Sequence, residues 1–250
     1  MYNSSRNTQL ALLNGYIDLA LTYERDQEAL AESEGWSRTA GCVFHDHFVL
    51  AGPTSDPAAV ATAPSVAQAF ERIASGKHLF HSRVDSSATM FKDRSIWEST
   101  GYRPWDDEAA TSSWYRTSVL SPADALKRAD AAGAYCLTDR STLLRQTALG
   151  VISGFTVFFE PTHSTHPLMN NCYALRAPET SKPASQEAAR FFQYLVSPAG
   201  QAVIGRYGVA EVGLPLFASI EDGYAKTSLV LGRPVNGKWI ANLRAVKSRL

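Results

Sequence analysis

Phe80-His81-Ser82-Arg83-Val84-Asp85-Ser86-Ser87-Ala88-Thr89 is the stretch on which the reading of this chain turns. It leaves a strand-like run, His78–Ser82, and enters a helix predicted from about Thr89 to Thr100, with Gly101 just past its end. Between the two lie a guanidinium, several hydroxyls and the free N–H groups of a helix N-terminus. Those are the donors an oxyanion needs from one side. The competing reading is local: Asp85, Ser87 or Thr89 simply caps the helix. Taken alone, the residues support both readings equally.

Working outward, strands alternate with helices in both directions. Ile17–Tyr23 reads as a buried strand after a short helix over Thr8–Leu13, and Val43–Gly52 as a second strand ended by Gly52-Pro53. Ser65 opens a helix whose apolar residues Val66, Ala69, Phe70, Ile73 and Ala74 form one stripe. Ser121-Pro122 has the order of an N-cap followed by a first-turn proline, and Ser197-Pro198 repeats it. Ala134–Leu137, Val151–Phe159 and Cys172–Leu175 read as strands, and Ser141–Leu149 and Ser185–Val196 as helices. The β-then-α order predicts an α/β fold with parallel sheets covered by helices. No repeat or low-complexity linker divides the chain, so interwoven units are expected in place of sequential ones. The tail after Gly223 lacks periodicity, and Trp239 is a candidate anchor for it.

Composition narrows the partners. With 24 basic and 24 acidic side chains the net charge is zero, which removes the electrostatic case for nucleic acid or an anionic membrane surface. Any bound anion must then be held by a local site. Three widely separated cysteines make neither a disulfide framework nor a zinc motif. No apolar run approaches the ~20 residues of a membrane span. Met1–Arg6 has no apolar signal region, so a cytoplasmic location is expected if Met1 is the true start.

The linear signatures of nucleophilic, nucleotide-binding and zinc-protease sites are absent, so no catalytic residue and no cofactor is expected. His45-Asp46-His47 places two histidines on one strand face, but no third ligand is nominated. His78 with His81, and His163 with His166, fare no better as metal ligands.

Several segments, in one order, resemble a known family. Ser82-Arg83-x-Asp85-x-Ser87-x-Thr89 is similar to the anion loop of the tungstate-binding substrate-binding proteins of ABC importers. Gly15–Leu21 is similar to their G-x-x-D strand, and Asp46–Pro53 to their crossover strand. Trp114-Tyr115, Ala134-Tyr135-x-Leu137-Thr138-Asp139-Arg140-x-Thr142, Pro167-Leu168-Met169-Asn170 and Leu195-x-Ser197-Pro198-x-Gly200-Gln201 continue the match, which covers about residues 5–215.

The resemblance implies a two-lobed, type 2 periplasmic-binding-protein-like α/β fold, with residues 1–52 plus 165–250 as a discontinuous first lobe and 53–164 as the second. It implies a small oxyanion, tungstate- or molybdate-like, held between the lobes by Arg83, Ser87 and Thr89, with Ser5 and Asn170 as weaker candidates. An ABC importer or another membrane-bound partner would follow, and family members are usually exported. Asp139-Arg140 is read as structural, ordering its turn by ion pairing, and Ser141 stands where the family has glycine. The family also begins with a strand, an anion loop and a helix that this sequence does not match. The first lobe is therefore expected to be incomplete at its N-terminus, with a groove or open strand edge beside Ile17–Tyr23. The alternatives are a biosynthetic enzyme on the same scaffold, or a non-binding remnant serving as an interaction module.

Overall fold

The structure is a computed structural model and describes residues 5–178 and 183–222. The chain opens with α1 (Ser5–Leu13), β1 (Leu19–Thr22), α2 (Arg25–Ser33) and the long strand β2 (Arg38–Pro53). There follow α3 (Val66–Ser75), β3 (Phe80–Arg83), α4 (Ala88–Ser99), α5 (Glu108–Ser113), β4 (Tyr115–Ser118), α6 (Pro122–Ala132), β5 (Cys136–Asp139), α7 (Arg140–Ala148) and β6 (Phe155–Phe159). β7 (Met169–Arg176) leads back to α8 (Pro183–Val196), α9 (Pro198–Ile204) and α10 (Val209–Val212). The tail after Gly223, with Trp239, lies outside the described residues.

Helix starts obey local chemistry. The hydroxyls of Ser65, Ser121 and Ser197 accept from the amides of Gln68, Asp124 and Gly200, as their positions before α3, α6 and α9 predict. α2 is an element the sequence pattern does not announce, because it has almost no apolar stripe: its buried residues are Glu28 and Ala31. The Glu28 carboxylate holds it to the sheet instead, accepting from the Thr22 hydroxyl at 2.6 Å, the Glu24 amide at 3.0 Å and Arg25 at 2.6 Å. α5 and β4 are likewise additions to the sequence reading.

β2 organises the molecule. Arg38–His47 pairs antiparallel with β7, through two register shifts, and β1 pairs with the same β7. From Phe48 onward β2 changes partners, to β5 over Phe48–Ala51 and to β6 over Leu50–Pro53. One strand thus belongs to two sheets, and the change falls between His47 and Phe48.

The parallel sheets predicted from strand order are corrected here. Only β3 and β4 pair in parallel, joined by a parallel bridge from Phe80 to Tyr135; the other named pairs are antiparallel. The reason is that a returning strand sits between strands that share a direction. β1 and β2 both run opposite to β7, so they are parallel to each other one strand removed, and β5 and β6 have the same relation about β2.

Alternation along β2 supplies two cores. Phe48 and Leu50 enter a cluster with Phe70, Ile73, Phe80, Trp97 and Tyr115 beneath α3 and α4. Val49 and Ala51 enter the opposite one with Leu126, Leu143, Leu144 and Leu214 beneath α6 and α7. A sheet covered on both faces needs this double-sided apolar pattern. Gly52 is required by close approach, since a Cβ there would overlap the Tyr135 ring. A small third core of Leu12, Ala20 and Leu175 lies at the β1 end, where β1 terminates the sheet path. A groove beside it, lined by Asp18, Leu19, Ala40 and Phe192, occupies the place expected next to Ile17–Tyr23.

Candidate functional site

The site is built on the turn from β3 to α4. Ser86 takes a left-handed conformation (φ 56°) that bends the chain sharply before the helix. Ser87 is the N-cap of α4, its hydroxyl accepting from the Met90 amide at 3.3 Å. The capping reading of Ser87 is therefore realised, yet the hydroxyl proton stays available to donate. The amides of Ala88 and Thr89, in the first helical turn, have no intrahelical acceptor. Thr89 is buried, and its hydroxyl has no hydrogen-bond partner among the described residues.

Arg83 lies at the end of β3 with 12% of its side chain exposed. One terminal nitrogen donates to Asp85, whose other oxygen accepts from the Ser87 amide at 3.3 Å. The Arg83 Nε is buried and has no partner among the described residues. A guanidinium N–H without an acceptor in a buried place is costly unless something else accepts from it. Arg83 and Thr89 also line one small recess, with α6 above and Leu137 and Thr138 of β5 behind.

A buried polar pair fixes this turn from beneath. Ser82 donates to Asp93 Oδ2 at 2.5 Å, tying the second turn of α4 to β3 next to Arg83. Burial pushes the Asp93 carboxyl up to about 7, against the opposing effects of Ser82 and Arg94. Sequence reasoning missed this pair; the aspartate, one helical turn after Thr89, was its only available signal.

Ser5 begins α1, buried, and its hydroxyl accepts from the Tyr23 amide at 3.3 Å, just past β1. It is thus placed like Ser87, accepting from a backbone amide with no acceptor for its proton among the described residues. The next residue brings the two helix starts together: Arg6 pairs with Glu24 at 3.1 Å and lays its guanidinium 3.7 Å from the centre of the Phe91 ring on α4. Lys92, whose pKa burial lowers, senses Asp26 of α2 from the same helix. Arg6 and Phe91 were not nominated from sequence, because nothing local links residues so distant along the chain.

Asn170 is placed elsewhere. It lies on β7 opposite Asp46, next to the point where β2 changes partners, buried and without a side-chain partner among the described residues. Asp46 is itself buried and its pKa stands well above the usual range, through desolvation first and the Asp139 charge second. Among the described residues no hydrogen bond joins Asn170 to the Arg83 turn.

The β5–α7 turn corrects one expectation. Asp139 does not order it by pairing with Arg140: it caps α7, accepting from the Thr142 amide and the Ser141 hydroxyl, each at 2.7 Å. Arg140 is buried and donates to the carbonyls of Pro215 and Leu216 at 2.9 and 3.0 Å. Its role is structural as expected, with different partners. Ser141 takes no left-handed backbone, so the glycine of the family motif is dispensable here. His45 meets Asn171 at 2.8 Å, His47 is buried against the Phe48 carbonyl, and the His163 and His166 rings meet edge to face with centroids 5.4 Å apart. Among the described residues no three histidine, cysteine or carboxylate side chains gather as a metal site. No helix among them is long and apolar enough to cross a membrane.

Comparison with known proteins fits this geometry. A Haloferax volcanii protein assigned as an ABC-transporter anion-binding protein is 30% identical over 78% of this chain, which spans 55% of that relative's length. The tungstate-binding protein TupA of Peptoclostridium acidaminophilum is 28% identical over 82% of this chain and 68% of its own length. A crystal structure of a periplasmic protein assigned as metal-binding superimposes with a TM-score of 0.78 and 27% identity, covering 87% of this chain and 82% of that one. The family model of the PBP superfamily domain matches residues 2–199. With that match over most of its length, and with one strand crossing between two sheets, the chain belongs to the PBP superfamily.

Proposed function

We propose that this chain binds a small tetrahedral oxyanion of the tungstate or molybdate kind, by closure of two lobes and without covalent chemistry, and delivers it to an ABC importer. The lobes are residues 1–52 with 165–250, and residues 53–164, hinged where β2 changes partners. The observation that carries the reading is Arg83: a largely covered cation whose buried Nε has no partner among the described residues, just ahead of a helix whose first amides are free and whose Ser87 and Thr89 hydroxyls can still donate. Such a set stabilises an anion with oriented dipoles and a fixed charge, with little reorganisation. Ser5, at the other helix start, supplies one further hydroxyl. Arg6 on Phe91 is the contact that brings the two starts together. Asn170 is assigned a supporting place at the hinge.

The names carried by the Haloferax and Peptoclostridium relatives support an anionic ligand and an ABC importer as partner. They also support binding in place of catalysis. Calorimetric titration with tungstate, molybdate and sulfate tests the proposal. The wild type is expected to bind at least one of them, and Arg83→Ala to bind it about two to three powers of ten more weakly. Equal affinity of the two proteins would remove the site, and silence of the wild type would remove the function.

A further inference from the structure

Away from the cleft, a recess of about 310 Å3 opens between β3, β4 and α6. Its floor is apolar, made by Leu79, Ala132 and Ala134, and Arg116 and Arg128 stand on its wall. No carboxylate lines it, and neither arginine makes an ion pair among the described residues; Arg116 donates once, to the Ser112 carbonyl at 3.3 Å. His81 completes the wall. It is only 5% exposed, and its Nε2 is buried without a hydrogen-bond partner among the described residues. The same ring also lines the recess that holds Arg83 and Thr89, so it stands between the two.

Two unpaired guanidinium groups over an apolar floor select an anion with a hydrophobic body, since inorganic oxyanions would leave that floor wet. A polar atom buried with no partner is unusual and calls for an occupant that supplies one. Burial, with Arg128 nearby, lowers the His81 pKa to about 4, so the ring is neutral at pH 7 and can bond without adding charge.

We propose that this recess is a second binding site, separate from the interlobe cleft, for a small organic carboxylate with an apolar body. The carboxylate pairs with Arg116 and Arg128, the body lies on Leu79, Ala132 and Ala134, and the His81 ring turns to bring Nε2 onto a carboxylate oxygen. The site does not depend on what the cleft binds.

The test uses 2-naphthoate as probe on the full chain, by calorimetry and 1H–15N shift mapping, with and without saturating tungstate. Binding is expected to shift the amides around Leu79, Ala132 and Ala134 and to persist in tungstate. The uncharged 2-naphthamide should bind at least about tenfold more weakly, and the double variant Arg116→Gln/Arg128→Gln should lose naphthoate affinity by at least about tenfold. Both arginines are exposed, so that variant should fold. His81→Phe keeps a ring and removes the nitrogen, with a smaller loss expected. The proposal is overturned by no binding, by equal binding of acid and amide, or by indifference to the arginine pair. Shifts centred on Ser87–Thr89, or displacement by tungstate, would overturn it too by placing the acid in the cleft.

Discussion

Two strand-to-helix turns of this molecule carry nearly the same side chains and use them in opposite ways. The β3–α4 turn holds Arg83, Asp85, Ser87 and Thr89; the β5–α7 turn holds Asp139, Arg140, Ser141 and Thr142. In the second, the carboxylate caps the helix and the guanidinium is spent on two backbone carbonyls of the Pro215–Leu216 segment. In the first, a hydroxyl does the capping, the carboxylate steadies the arginine, and one guanidinium nitrogen has no partner among the described residues. The difference is one of position. Arg140 is the first residue of its helix and is directed into the fold, whereas Arg83 ends its strand, several residues before its helix. Composition names a candidate anion loop, and the aim of the arginine decides whether it becomes one.

This contrast can be broken most directly at Arg140. Arg140→Ala strips the bonds from two carbonyls and takes a cation from beside buried Asp46, and should cost about 3–5 kcal/mol in urea unfolding. Arg83→Ala should do the reverse: a stability change of about 1 kcal/mol or less, with the loss appearing in oxyanion titration at about 3–4 kcal/mol. If both variants lost stability alike, the two turns would not differ in kind.

Asp93 sharpens the comparison through pH. Its carboxyl is held at about 7 in the fold against an ordinary value of 3.8, so the folded state binds the proton more tightly. Its contribution is fully favourable below the unfolded value and is lost as pH rises through 7. Lowered pKa values at His81, His47 and His166 act in the opposite sense as pH falls. The difference between wild type and Asp93→Asn isolates the carboxyl, and should shift in favour of the wild type by roughly 2 kcal/mol between pH 7 and pH 5. A flat difference would mean that burial does not keep the Asp93 carboxyl protonated near neutral pH.

Thr89→Val is the smallest test. It removes one neutral donor and keeps the shape, so oxyanion affinity should fall by about tenfold or less, with stability unchanged within about 0.5 kcal/mol. A loss as large as that of Arg83→Ala would make the hydroxyl, and not the charge, the principal contact.

What could be read from the sequence was whatever is decided within a few residues. The serine caps, the Gly52-Pro53 stop and the apolar stripe of α3 all stand where the residues put them. The donors of the β3–α4 turn were visible for the same reason. α2 was not, because a buried glutamate replaces its apolar stripe. Sheet direction was not, because inserting antiparallel β7 between β1 and β2 depends on residues far along the chain. Arg6 on Phe91 and Ser82 on Asp93 are likewise tertiary facts, with no periodicity to betray them.

The sharing of β2 has a consequence for how the protein can be cut. Its last residues lie between β5 and β6, which touch through no pairing of their own among the described strands. A fragment of residues 53–164 would hold both flanks of that sheet and nothing to fill its middle, however good the boundary looks from outside. Cleavage in the middle of β2 should therefore ruin both halves together. Dissecting this protein for separate study would need a duplicated strand, one copy for each piece.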